Sequence, residues 1–243
     1  MDIVKKIVEV SEAGIDLFFP RRCPVCDQVL PYRNGLICRP CSGRIKYIKE
    51  PACMKCGKQL SAVEEEYCYD CGRRSHQYIK GAALYDYSCM KESIYRFKYQ
   101  GRKEYARFYA AEIKKVLGSR IRSWKPEALV PVPIHYLRKN RRGYNQSQVL
   151  AEMVSEEIQV PVRDNLIIRC KKTLPQKELD AAGRQNNLKK AFKICRNDVE
   201  LNTIVIIDDI YTTGNTIDTM AAELKKIGVQ NIYFVALAIG HGL

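Results

Sequence analysis

Val205-Ile206-Ile207-Asp208-Asp209-Ile210-Tyr211-Thr212-Thr213-Gly214-Asn215-Thr216 is the run whose reading decides the fold. Three β-branched residues lead into two adjacent carboxylates, a hydroxyl-rich loop with one glycine follows, and a helical pattern starts at Ile217. The order is buried strand, turn, helix N-terminus, which is where an open α/β sheet binds its ligands. Backbone N–H groups from Thr212 to Thr216, with the threonine hydroxyls, can wrap a phosphate at that N-terminus. Asp208 and Asp209 suit sugar hydroxyls or a cation, not the phosphate itself. The run therefore predicts a phosphorylated sugar held at both ends.

Working outward, Thr216–Ile227 has a helical period, Gly228 suits its C-terminal cap, and Ile232–Ile239 reads as a final apolar strand. Upstream, Gly81–Tyr87, Ala128–Pro133, Leu166–Cys170, Ala191–Cys195 and Thr203–Asp208 read as strands. Helices are expected after Ser88, with that serine as the N-cap, and over Gln148–Ile158. Near-continuous apolar strands alternating with helices predict an α/β fold, a parallel sheet flanked by helices. Arg138-Lys139-Asn140-Arg141-Arg142 reads as a basic loop after a strand and is a second candidate anion site. Lys171–Leu188 has no clear period and reads as a long functional loop whose Lys177 and Arg184, with Arg169 at its start, can close over a polyphosphate. A hood over the strand ends is expected from Gly81–Gly101 and the C-terminus.

The N-terminal third is organised differently. Cys23, Cys26, Cys38, Cys41, Cys53, Cys56, Cys68 and Cys71 form four C-x-x-C pairs, each separated from the next by eleven residues. Two such knuckles complete a tetrahedral thiolate site, so four predict two structural zinc ions, closed and without an open catalytic position. Sequential pairing is expected over crossed pairing. Such a cysteine-rich segment with few large apolar residues needs metal to fold. The expected division is an amphipathic helix over 1–19, a small double zinc ribbon over 20–75, and a sheet domain over 81–243. Cys89, Cys170 and Cys195 fall outside the pattern and are expected to be buried. His76, His135 and His241 show no partner pattern.

Hydrophobic residues make up 46% and charged residues 28%, an ordinary balance for a soluble globular chain. No apolar run approaches the roughly 20 residues that span a bilayer, and acids at Asp2, Glu9, Glu12 and Asp16 argue against a secretory leader. A cytoplasmic location is expected. The formal charge is +14; two tetrathiolate zinc sites would lower it to about +10, which still favours a polyanionic partner. From Lys91 to Lys125 there are eleven Lys or Arg against three acids, with Tyr95, Tyr99, Tyr105 and Tyr109 interleaved. That pattern fits stacked bases of single-stranded nucleic acid, or a small core with a charged exterior.

The Val205–Thr216 run resembles the phosphoribosyl pyrophosphate (PRPP) signature of type I phosphoribosyltransferases. Taken with the four knuckles, Pro131-Val132-Pro133, Arg142-Gly143-Tyr144-Asn145-Gln146-Ser147 and the Arg169-to-Leu188 segment, the chain resembles the ComF family of competence proteins. The resemblance implies a type I phosphoribosyltransferase-like fold behind a double zinc ribbon. It also implies Mg²⁺ bound with PRPP, a role with single-stranded DNA in natural transformation, a helicase-like ATPase partner, and recruitment to the inner face of the membrane by DNA-uptake partners. On that basis Asp208 and Asp209 would be the catalytic pair and bind the ribose hydroxyls. Tyr211, Thr212, Thr213, Gly214, Asn215 and Thr216 would hold the 5′-phosphate. Arg138, Arg141, Arg142, Arg169, Lys177 and Arg184 would meet the pyrophosphate. Two other readings compete: a PRPP sensor or scaffold without turnover, and a zinc-ribbon DNA-binding protein whose loop holds backbone phosphate.

Overall fold

A computed structural model describes residues 20–31, 35–170, 191–196 and 200–240. The helix expected over 1–19, the loop residues Lys177 and Arg184, and His241 lie outside the described residues.

By contact the chain parts into two units, Met1–Ile45 and Lys46–Leu243. The first holds Cys23, Leu30 and Cys41 as its small core, with Val25, Ile37 and Cys38 against them. Its short helix α1 (Arg39–Ser42) starts from Cys38 and has Pro40 in its first turn, a position where the missing N–H costs nothing.

The second unit is built on four strands: β1 (Lys80–Asp86), β2 (Ala128–Pro131), β5 (Thr203–Tyr211) and β6 (Asn231–Ile239). They lie in the order β1-β6-β5-β2, and every pair is parallel. Their continuous apolar runs reflect cover on both faces. Alternation separates the faces: Ile204, Ile206, Phe234 and Ala236 point one way, toward helix α7 (Asn215–Lys225) through Ile217, Met220, Ala221 and Leu224. Against the sheet's other side lie α3 (Tyr87–Tyr99), α4 (Tyr105–Ser123) and α6 (Gln146–Ile158).

The second ribbon belongs to this unit. Cys53, Cys56, Cys68 and Cys71 share one buried cluster with Tyr78, Tyr211, Ile217 and Phe234. Backbone bonds from Gly81 N to Lys55 O (2.8 Å) and from Ile48 N to Leu84 O (2.9 Å) stitch the ribbon to β1. The helix α2 (Tyr69–Arg73) closes the ribbon and is followed directly by the segment that enters β1.

Several expectations change. The strands near 166–170 and 191–195 are β3 (Ile167–Arg169) and β4 (Phe192–Ile194), which pair with each other antiparallel and stay out of the main sheet. Lys80–Asp86 is an edge strand and not a hood. The cap of α3 is Asp86, whose carboxylate accepts from Ser88 N, because the serine lies already inside the first turn. The basic stretch after β2 is a helix, α5 (Tyr136–Arg142), capped by the His135 ring, and ended by Gly143 at φ 80°. Cys89, Cys170 and Cys195 are exposed, since none falls on an inward-facing position. Tyr105 and Tyr109 are core residues, whereas Tyr95 and Tyr99 are about half exposed, 50% and 49%.

Candidate ligand site and metal centres

Each C-x-x-C quartet comes together. Cys23, Cys26, Cys38 and Cys41 form one set of four sulfurs and Cys53, Cys56, Cys68 and Cys71 the other, with all Sγ atoms of each set within 4.8 Å of one another. The pairing is sequential. Cys26–Cys38 and Cys56–Cys68 stand 3.7 Å apart, sulfur to sulfur. A tetrahedron with Zn–S bonds of about 2.3 Å requires S···S near 3.8 Å, and both quartets are gathered closely enough to suit zinc. Four thiolates leave no position for water or substrate, which makes both sites structural.

Asp208 and Asp209 sit at the carboxyl end of β5 and are only 9% and 8% exposed. Asp208 Oδ1 accepts from Ser147 Oγ (3.1 Å) and from Asp209 N (2.9 Å). Burial, reinforced by the charge of Asp209, pushes the Asp208 carboxyl up to about 7; Lys98 and these two hydrogen bonds pull the other way. Lys98 Nζ pairs with Asp209 Oδ1 at 3.0 Å. The two acids have different surroundings: Asp209 is paired with a cation, and Asp208 is pushed by burial toward losing its proton near neutrality.

The segment Arg142–Ser147 is what fixes this arrangement. Asn145 caps α6 through Ser147 N, and its amide donates to Val132 O at 3.0 Å. Ser147 thereby meets Asp208 from the first turn of α6. Gln146 Nε2 donates to Lys98 O (3.3 Å), the Tyr144 hydroxyl donates to Phe97 O, and Arg142 donates to Gln146 Oε1 (2.9 Å). The motif thus binds the end of α3 in place, and with it Lys98. The segment serves as a brace, and it follows directly on Arg138–Arg142, the stretch expected from sequence to be an anion site.

Those arginines do converge. Arg138 is depressed by its own burial and by the charge of Arg142, and Arg169 on β3 falls to about 10 through burial and the charge of Arg138, with Asp208 opposing. Arg141 adds to the field on Arg138. Guanidinium groups close enough to disfavour one another's charge, beside an acid pair, form a place that favours a polyanion.

The loop after β5 is held tightly. Gly214 has φ 80° and is the N-cap of α7, and it offers no side-chain cap to that helix. The first N–H groups and the positive end of the helix dipole are therefore open to an anion. A Cβ at Gly214 would lie 2.6 Å from the Tyr211 hydroxyl and 3.2 Å from His76 Cε1, so only glycine fits. Among the described residues, Thr213 Oγ1 is buried without a hydrogen-bond partner. An orphaned hydroxyl beside an uncapped helix terminus is the signature of a missing polar ligand. Thr212, Asn215 and Thr216 flank it and are partly exposed. The Tyr211 side chain turns away, stacked on Phe234 at 4.6 Å and bonded to the Tyr78 hydroxyl at 2.7 Å, so its part in the loop is to anchor it.

Sequence reasoning missed Lys98, Ser147, His76 and Asp218. Lys98 lies within a general basic stretch, and only the fold distinguishes it from its neighbours. Ser147 stands in a motif whose pattern gives it no role of its own. His76 and Asp218 are 142 positions apart and meet at 2.8 Å, a pairing no local pattern announces.

Residues 14–72 match the model of the double zinc ribbon domain, and residues 108–241 that of the phosphoribosyl transferase domain. Competence protein F of Haemophilus influenzae is 37% identical over 115 residues, 46% of this chain and 50% of that protein. DNA utilization protein YhgH of Escherichia coli K12 is 34% identical over 107 residues, 44% and 47% of the two chains. Competence protein ComFC of Bacillus subtilis is 30% identical over 148 residues, 60% and 58%. The chain spans about half the length of the curated relatives it matches. Among solved structures, a purine phosphoribosyltransferase from Pyrococcus horikoshii covers 56% of this chain and 81% of its own at 17% identity, with a TM-score of 0.35. In the described residues no helix is long and apolar enough to cross a membrane. The chain belongs to the phosphoribosyl transferase domain family and is a homologue of competence protein F and ComFC, with a double zinc ribbon ahead of that domain.

Proposed function

We propose that this chain binds PRPP with Mg²⁺ at Asp208-Asp209 and the 212–216 loop, and acts on single-stranded DNA, or on a nucleotide derived from it, during natural transformation. The observation that carries the reading is the buried acid pair one short loop away from an uncapped helix N-terminus with an orphaned threonine hydroxyl. A ribose phosphate has both chemistries at that separation: vicinal hydroxyls for the carboxylates and a dianion for the loop.

In this reading Thr213 Oγ1 and the N–H groups at the start of α7 hold the 5′-phosphate. Asp209, paired with Lys98, accepts from a ribose hydroxyl, and Asp208 either accepts from the other or donates to it. Arg138, Arg141, Arg142 and Arg169 receive the pyrophosphate and stabilise the charge it gains as the bond to the anomeric carbon weakens. Mg²⁺, when bound with PRPP, supplies further positive charge at the pyrophosphate. Lys177 and Arg184 are assigned to the cover over that group. The helicase-like ATPase partner, and recruitment by DNA-uptake partners to the inner membrane face, belong to the same reading.

Single-stranded DNA has a platform of suitable chemistry beside the acids. Tyr95 and Tyr99 form an exposed ring pair 5.1 Å apart, and Arg142 lies 4.5 Å over the Tyr99 ring while donating to its hydroxyl at 2.8 Å. Aromatic faces edged by arginine are what unpaired bases stack on, at about 1–3 kcal/mol per base. Tyr95→Ala with Tyr99→Ala should weaken single-strand binding and leave its salt slope intact.

The deciding assay follows pyrophosphate release from PRPP and Mg²⁺ with nucleobases, nucleotides and single-stranded DNA offered as acceptors. Release that disappears in Asp208→Ala/Asp209→Ala identifies a transferase. PRPP binding that changes DNA affinity without release identifies a sensor. Absence of PRPP binding removes the proposal and leaves a zinc-ribbon DNA-binding protein.

A further inference from the structure

Between the last cysteine of the second ribbon and β1 runs a short strap, Arg74–Tyr78, that lies against the start of α7. Four of its five residues bond to that helix or to the end of β5. Arg74 reaches Asn215 Oδ1 at 3.4 Å. The His76 ring, whose side chain is fully buried, bonds through Nδ1 to Asp218 Oδ2 at 2.8 Å. Gln77 N donates to the other oxygen, Asp218 Oδ1, at 2.7 Å. Tyr78 bonds to the Tyr211 hydroxyl at 2.7 Å and stacks with His76 at 4.8 Å. The ring of His76 also stands against Gly214, within 3.2 Å of where a Cβ would be.

We propose that the second ribbon is a working part of the ligand site, and that His76 is a positioning residue: through Asp218 it pins the first turn of α7, so that the loop 212–216 keeps its phosphate-receiving shape. Asp218 lies in the first turn of a helix whose terminus awaits an anion, and its own carboxylate would compete for the same open N–H groups. Two hydrogen bonds from the strap hold both oxygens of that carboxylate and keep it out of the anion's place. The strap in turn begins where α2 ends, just after Cys71, and its Tyr78 shares a buried cluster with the four cysteines. Closure of the second metal site and shape of the loop are therefore mechanically one unit. The ribbon's place here is to preorganise a binding loop, a reason for its burial that partner recognition does not supply.

The proposal rests on the phosphate-binding reading of the loop, but part of its test does not. Amide hydrogen exchange over the first bonded turn of α7, residues 218–221, in the full zinc-loaded chain reports whether that turn is pinned without any ligand, and titration with PRPP and Mg²⁺ reports the consequence. His76→Ala should speed exchange at 218–221 about tenfold or more, leave β5 and β2 protected, and weaken PRPP binding about tenfold. His76→Asn, which returns an N–H near the Nδ1 position, should recover most of both losses. Asp218→Asn provides the same comparison if His76→Ala does not fold, because it keeps the side-chain size. Unchanged exchange at 218–221 in these variants overturns the proposal, as does a uniform rise across the sheet that His76→Asn fails to correct. If the wild-type chain binds no PRPP, the proposed function falls while the exchange result still decides the strap.

Discussion

Asp208→Asn should make the protein more stable as the pH rises, relative to wild type. The carboxyl is buried at the end of β5, and burial with the neighbouring Asp209 charge raises it to about 7. In the unfolded chain an aspartate titrates near 3.9. A folded-state value above the unfolded one means that the native state binds the extra proton. Stability from this group is then fully present below the unfolded value and is lost as pH climbs through the folded value. Between pH 5.5 and 8 the loss amounts to about 2 kcal/mol, out of roughly 4 kcal/mol over the whole range. The substituted amide does not titrate, so the difference between the two proteins isolates this group, and the pH dependence of the metal sites cancels. A constant offset is expected from the altered bonds to Ser147 and the Asp209 N–H, about 1 kcal/mol each. Urea unfolding at several pH values, with equal m-values in both chains, gives the comparison. Parallel stability profiles from pH 5.5 to 8 would refute the argument that Asp208 is held near neutrality by burial.

Gly214→Ala places a Cβ against Tyr211 and His76 at a positive φ, and the Tyr211 ring cannot give way because it is stacked on Phe234 and bonded to Tyr78. A loss of about 1–3 kcal/mol in stability is expected, together with loss of phosphate-ligand binding, read by thermal unfolding and titration calorimetry. Lys98→Met removes the partner of Asp209 and should raise the Asp208 titration further, shifting the pH profile of ligand binding upward. Stripping metal with a chelator should release two zinc ions per chain. It should unfold the first unit, whose buried core among the described residues holds little beyond two cysteines and Leu30, while the sheet retains its protection from exchange.

The parallel sheet and both cysteine quartets were legible because each rests on a local rule: apolar strands read directly, and C-x-x-C spacing fixes the ligand set. The Val205–Thr216 run was legible for the same reason, since strand, acids and helix start are consecutive. What escaped was long-range. Nothing near residue 98 marks that lysine as the partner of Asp209, and nothing near His76 points to Asp218. The interleaved tyrosines read alike in sequence, yet the turn of two helices sends Tyr105 and Tyr109 inward and leaves Tyr95 and Tyr99 half exposed. The ribbon segment over 20–75 repeats evenly in sequence, yet its second half belongs to the sheet unit, because Tyr78 and the residues after it carry the chain straight into β1. Helix α5 reads as a loop because its surface is mostly basic and it has no buried stripe to reveal its period.

The most direct test of the central claim is calorimetric titration of the full zinc-loaded chain with PRPP, in the presence and absence of Mg²⁺. The account predicts one saturable site that needs Mg²⁺ and disappears in Asp208→Ala/Asp209→Ala. It also predicts a binding heat near pH 7 that varies with the ionisation heat of the buffer, because Asp208 exchanges a proton as the ligand arrives. Binding of equal strength in the double variant, or no binding by the wild-type chain, would contradict it.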